Sequence, residues 1–298
     1  MLERRHVTFY ARSSGVPEDR AERDIVLTYA LRIMSDRILS RLAFKGGTCL
    51  KKVYFGGTGR FSMDLDFTSI DAKPEELSEG IKDLLHEKSW YGIDFEVSEE
   101  NFGLESYLAV VRYAHTWNPG SFFEFQVSLR EQPIYPPVEL PLYDEMYFRF
   151  CEFQSFSVKC MLRDEILSEK IRAAFQRASS RDLYDLYLFA ERPFNRERVK
   201  SLVVIKCWNV RDPFNPELFF DRVGEGDYDW EDLGRLVRRG SLPPKEGVIK
   251  KVLEEYAFLG DMDDYLLKII RDSNAHREKE LVDRLIEGLK EPSNLSQV

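Results

Sequence analysis

The stretch Phe44-Lys45-Gly46-Gly47-Thr48-Cys49-Leu50, followed by Arg60-Phe61-Ser62-Met63-Asp64-Leu65-Asp66-Phe67, decides the fold. Arg41-Leu42-Ala43-Phe44 is a short apolar run halted by two glycines, the pattern of a buried strand ending in a tight turn. Thr48 to Phe55 reads as a helix, broken by Gly56-Gly57-Thr58-Gly59. Phe61 to Thr68 then alternates as a second strand. Glycines between a strand and a helix let backbone amides approach a phosphate, and the helix start adds the positive end of its dipole. Asp64 and Asp66 stand at i and i+2, so on a strand they project from one face. Apolar Met63, Leu65 and Phe67 alternate with them, which buries the opposite face. Two neighbouring carboxylates repel, and a divalent cation such as Mg²⁺ relieves that repulsion while keeping positions for water and substrate phosphate. Arg60, four residues before Asp64, can pair with it or meet phosphate.

Outward from this stretch, Pro17 to Ser40 reads as one amphipathic helix. A charged helix is expected over Pro74 to Lys88, with Pro74 in the first turn. Strands are expected at Ile93–Val97, Tyr107–Tyr113 and Phe122–Leu129. Gln132 to Pro141 contains four prolines and reads as a linker. Helices are expected at 162–177, 181–190, 195–206, 246–259 and 276–290. The fold class is therefore α+β: a mixed sheet with flanking helices over residues 1–130, then a mainly helical domain over 131–298.

Composition narrows the function classes. The 298 residues are 43% hydrophobic and 32% charged, a globular balance. A net charge of −9 argues against coating nucleic acid by bulk charge, though not against a local basic groove. No apolar run approaches the roughly 20 residues that span a bilayer, and the N-terminus lacks a secretory pattern. Cys49, Cys151, Cys160 and Cys207 are far apart, as expected of thiols in a reducing cytoplasm. His6, His86, His115 and His276 are isolated, which disfavours zinc or a serine triad. There is no P-loop and no dinucleotide fingerprint.

A second block, Glu169-Lys170-Ile171-Arg172-Ala173-Ala174-Phe175, precedes Arg177, Arg181, Asp182 and Asp185. Lys170, Ala174 and Arg177 share one helix face. Lys170 can offer a point charge to phosphate, and Asp182 can start or orient the next helix. Taken with Phe44–Leu50, Lys52-Val53-Tyr54-Phe55 and Arg60–Phe67, this block resembles the AbiEii/AbiGii-type toxin nucleotidyltransferases of the polymerase-β-like superfamily, over roughly residues 20–190. The resemblance implies that Asp64 and Asp66 hold Mg²⁺ or Mn²⁺. It implies nucleotide-phosphate contacts for Gly46, Gly47 and Thr48, with Lys45, Arg60 and Ser62 beside them. The remaining active-site roles fall to Lys170 and Asp185, with Arg177, Arg181 and Asp182 as further candidates. The helical domain would thus contribute lysine and aspartate residues to the cleft. It implies an NTP substrate, RNA (tRNA ends included) or a protein hydroxyl as acceptor, and a cognate antitoxin.

One departure concerns the third carboxylate that the superfamily carries on a later strand. Here that strand reads Phe123-Glu124-Phe125-Gln126-Val127-Ser128, and either Glu124 or Gln126 can occupy the position. A metal-dependent nuclease is the rival enzyme, because Asp64 with Glu124-Phe125-Gln126 faintly matches a D…E-x-K core. A non-catalytic nucleotide-binding protein is the rival of another class. Lys51, Lys52, Lys159, Arg163, Arg172 and their basic neighbours can line a phosphate groove if they face the acids. Phe122, Phe123 and Phe125, like Tyr184, Tyr187 and Phe189, have core spacing rather than that of a base-stacking stripe.

Overall fold

Phe44, Phe67 and Phe125 explain why the central strands pair. Their rings stack in a buried row at 5.1 Å and 5.0 Å between centroids, and each such pair adds about 0.5–1.5 kcal/mol beyond its burial. They sit on β1 (Leu42–Lys45), β2 (Leu65–Ser69) and β6 (Asn118–Ser128). β2 runs antiparallel to β1 and parallel to β6. A computed structural model describes residues 1–273 and 277–291, so His276 and the start of the helix expected at 276–290 lie outside the described residues.

Eight strands form one mixed sheet in the order β3-β4-β5-β6-β2-β1-β8-β7. β3 (Lys88–Trp90), β4 (Ile93–Phe102), β5 (Ser106–His115) and β6 form an antiparallel meander. β8 (Ser157–Cys160) runs parallel to β1, and β7 (Val138–Pro141) closes the far edge antiparallel to β8. The proline-rich stretch expected to be a linker therefore carries a strand. Three of its prolines precede the strand, and Pro141 is tolerated at its end because β7 is an edge, where a missing N–H costs no ladder bond.

All eight strands belong to the first of two compact units, which comprises 1–133, 137–161 and 234–241. The second comprises 134–136, 162–233 and 242–298, so the chain crosses between units several times, whereas the sequence reading drew one boundary after residue 130. In the first unit, α2 (Glu18–Ser35) is the helix expected over 17–40, ending five residues early, and it is preceded by an additional helix, α1 (Arg4–Ser14). Gly15, at φ +66°, ends α1, and Pro17 caps α2. A short helical turn, α3 (Gly46–Cys49), runs into a π-helix over Leu50–Phe55. α4 (Pro74–Leu85) has proline in its first turn and a Lys73 N–H donating to Glu76 Oε2 at 3.0 Å.

The second unit is helical: α5 (Arg163–Gln176), α6 (Ser180–Ala190), α7 (Arg196–Asn209), α8 (Pro216–Glu225), α9 (Trp230–Gly234), α10 (Lys245–Glu255), α11 (Asp264–Ile270) and α12 (Lys279–Leu289). Asn195, Asn215 and Asp263 cap α7, α8 and α11 by accepting backbone N–H groups.

Candidate active site

Gly46 is where backbone and chemistry meet. Its φ of +73° lies in the left-handed region, and a Cβ built there would run into the Asp66 carboxylate. At Gly47 a Cβ would come within 2.7 Å of Arg60 Nη2 and 3.0 Å of Ser62 Oγ. The turn after β1 thus lies flat against Asp66, Arg60 and Ser62. Thr48, 1% exposed, donates its hydroxyl to the Asp64 carbonyl, which ties the turn to the second acidic residue.

Asp66, on β2, stands in register between Lys45 on β1 and Gln126 on β6. Asp64 falls just before β2 rather than on it, because the pairing with β6 begins at Leu65. Its carboxylate Oδ1 takes the Glu124 backbone N–H at 3.2 Å instead. On β6, Glu124 and Gln126 share the face opposite buried Phe123 and Phe125, and the Gln126 amide donates to Glu124 Oε2. Glu124 therefore lies level with Asp64 and Gln126 level with Asp66. Lys45, Gly46, Gly47, Thr48, Arg60, Ser62, Asp64, Asp66, Glu124 and Gln126 all come together in the first unit.

Among the described residues, no cluster of three or more His, Cys, Asp or Glu is spaced to hold a metal by itself. Two aspartates stand at the turn: Asp66 has its carboxylate against Gly46, and Asp64, two residues before it, is tied to Thr48 through its carbonyl. That set fits Mg²⁺, which binds through one or two carboxylates and leaves the rest of its shell to water and substrate phosphate.

The second unit holds the other group. Lys170 on α5 bridges two aspartates of α6, with Nζ at 3.0 Å from Asp182 Oδ1 and 2.9 Å from Asp185 Oδ2. Arg177 Nε donates to Asp182 Oδ2 at 2.9 Å. Burial pushes the Asp182 carboxyl up, but Lys170 and Arg177 outweigh it and hold the group at about 2. Arg181 turns instead to Asp232, at 2.8 Å.

Several basic residues read as a groove have other tasks. Lys51 and Lys52 are buried, at 1% and 3% exposure. Lys52 Nζ donates to Asp24 Oδ1 at 2.9 Å and to Thr28 Oγ1 at 2.8 Å. Burial pushes the Asp24 carboxyl up, and Lys52 overrides this to hold it below the usual range, helped by a Tyr10 hydroxyl bond at 2.9 Å. Lys51 Nζ lies 2.6 Å from Glu145 Oε1, and Glu145 also takes Arg238. Both lysines leave the π-helix that follows the glycine turn, so they anchor that turn from beneath. Lys159, Arg163 and Arg172 donate to backbone carbonyls.

Two residues escaped the sequence reading. Arg20 and Arg23 on α2 reach Met63, beside Asp64, and Arg23 Nη2 donates to Ser121 Oγ at 2.8 Å. Their i, i+3 spacing marks a common helix face, but nothing local says what that face covers. Cys49, behind Thr48, is no nucleophile: burial and the adjacent Cys160 push its thiol far up.

The family described as the nucleotidyl transferase AbiEii toxin of type IV toxin–antitoxin systems matches residues 32–259. Among solved structures, the MenT4 nucleotidyltransferase toxin of Mycobacterium tuberculosis H37Rv superposes with a TM-score of 0.83 at 25% identity, over 98% of this chain and 100% of that one. Comparison with curated proteins gave no match. With a family match over most of its length, the chain belongs to the AbiEii nucleotidyltransferase toxin family.

Proposed function

We propose that this toxin nucleotidyltransferase moves the nucleoside monophosphate of an NTP onto a hydroxyl of RNA, tRNA ends included, in a reaction that depends on Mg²⁺ or Mn²⁺. The observation that carries the reading is the contact of Gly46 with Asp66, which brings a backbone fit for phosphates against a carboxylate fit for a cation. Asp64 and Asp66 would hold the cation, which when bound offsets the charge of the triphosphate and fixes its orientation. Lys45 and the Gly46-Gly47 amides seat the phosphates, and Thr48 keeps the turn on Asp64. Arg60 and Ser62 stand next to Gly47, where they orient the same phosphates. The acceptor oxygen bonds to the α-phosphorus as the bond to the β-phosphate oxygen breaks, and pyrophosphate leaves with that electron pair. Most of the rate comes from position and preset charge rather than covalent chemistry.

Glu124, whose backbone N–H meets Asp64 and whose carboxylate takes the Gln126 amide, would accept the acceptor proton in this reading. Lys170 and Asp185, set by Asp182 and Arg177, act on the nucleotide in this reading, a role drawn from the family resemblance and tested by Lys170→Ala. Arg181 supports α6 through Asp232. The toxin works in the cytoplasm and is held in check by a cognate antitoxin. Among the described residues, no helix is long and apolar enough to cross a membrane.

The experiment is incubation of purified protein with each α-³²P-labelled NTP, Mg²⁺ and total tRNA. Label on RNA supports the proposal and names the nucleotide. Label on protein moves the acceptor to a protein hydroxyl. Shortened RNA without label points to a nuclease and overturns the reading.

A further inference from the structure

Phe122 departs from its aromatic neighbours. Phe123 and Phe125 are fully buried, but Phe122 is 49% exposed. It lies two residues before Glu124 on the same face of β6, about 7 Å along the strand. A cavity of about 350 Å³ opens beside it over β4, β5 and β6, within the size range of small-ligand pockets. Glu96, Arg112 and Phe122 form one row across these strands and are all exposed. The guanidinium of Arg23 stands 5.7 Å from the Phe122 ring centroid and is itself held by Ser121, which keeps the ring in place.

We propose that this cavity seats the terminal nucleobase of the RNA acceptor. The ring offers a stacking surface, Arg112 a donor and Glu96 an acceptor for a base edge. The side of the site decides between acceptor and NTP. Across the sheet the order is β5, β6, β2, β1. The glycine turn follows β1, so triphosphate and leaving pyrophosphate belong on that side of Asp66. In-line transfer brings the attacking hydroxyl from the opposite side, which is β6, with Glu124 and then Phe122. The inference rests on transfer to RNA as proposed above.

The test separates binding from transfer. A short RNA carrying 2-aminopurine at its 3′ end is titrated with the wild-type protein, Phe122→Ala and Phe122→Trp, with no NTP present. Stacking is expected to quench the probe with wild type and with Phe122→Trp. Phe122→Ala is expected to weaken RNA binding by about tenfold to a hundredfold, with an unchanged melting temperature and unchanged affinity for a fluorescent NTP analogue. Equal quenching by Phe122→Ala overturns the inference, as does failure of the wild type to bind RNA. A loss of NTP affinity in place of RNA affinity also overturns it, by giving the platform to the incoming nucleotide. If RNA quenches normally yet never receives label, the transfer reading fails while the base site stands.

Discussion

Replacing Gly46 by alanine tests the turn at its most constrained point. The residue adopts φ +73°, a conformation that costs an L-residue about 1–2 kcal/mol. The new methyl group would also occupy the space of the Asp66 carboxylate, so the aspartate must swing out of its place between Lys45 and Gln126. Gly46→Ala is therefore expected to lower the melting temperature by about 2–8 °C and to cut label transfer by about a hundredfold or more. Gly47→Ala is the control. Its backbone lies outside the positive-φ region, and its methyl group would meet only the ends of the Arg60 and Ser62 side chains, at 2.7 Å and 3.0 Å. These ends can move, so stability should hold while transfer falls through displacement of Arg60. Thermal melts and transfer rates are measured on both variants. If Gly46→Ala melts and reacts like wild type, or if the two variants lose stability equally, the packing of the turn on Asp66 is misjudged.

Lys52→Met strands the buried Asp24 carboxylate and should cost about 3–5 kcal/mol in urea unfolding, with Lys52→Met/Asp24→Asn losing less than the single variant. Asp182 sits at about 2 against an ordinary 3.8. A depressed carboxyl stabilises above its unfolded value, so about 2 kcal/mol should be present above pH 4 and lost as pH falls towards 2. Acid unfolding of Asp182→Asn should lack that component. EDTA should abolish transfer and added Mg²⁺ restore it, while the melting temperature moves by less than about 1 °C, because the strands carry Asp66 without the cation; a collapse of the fold on chelation would contradict this. Lys170→Ala should weaken transfer, and a full-rate variant would remove the second unit's lysine from the reaction.

The core strands were legible because alternation survives in single sequence: Phe67 and Phe125 point inward while Asp66, Glu124 and Gln126 point out. The glycine turn alone was a weak signal, since such a turn before a helix is more often structural; it gained meaning only beside Asp64, Asp66 and the later lysine block. What stayed hidden depends on distant partners. Nothing near Lys51 and Lys52 shows that Asp24 and Glu145 will bury them. The Pro137–Pro141 stretch looks like a linker because an edge strand needs only one side of its ladder. α1 lies in a polar segment outside the helix expected to start at Pro17. Phe122 and Phe123 are alike in composition, and only the register against Arg112 and Val111 tells which one meets solvent.

The most direct measurement of the central claim compares wild type, Asp64→Ala and Asp66→Ala for transfer of α-³²P from NTP to RNA, with circular dichroism and thermal melts on the same samples. Both variants are expected to fold as wild type, since both carboxylates lie off the buried face, and to transfer no label above background. Full transfer by either variant, with the fold intact, would contradict the assignment of the paired aspartates as the centre of the reaction.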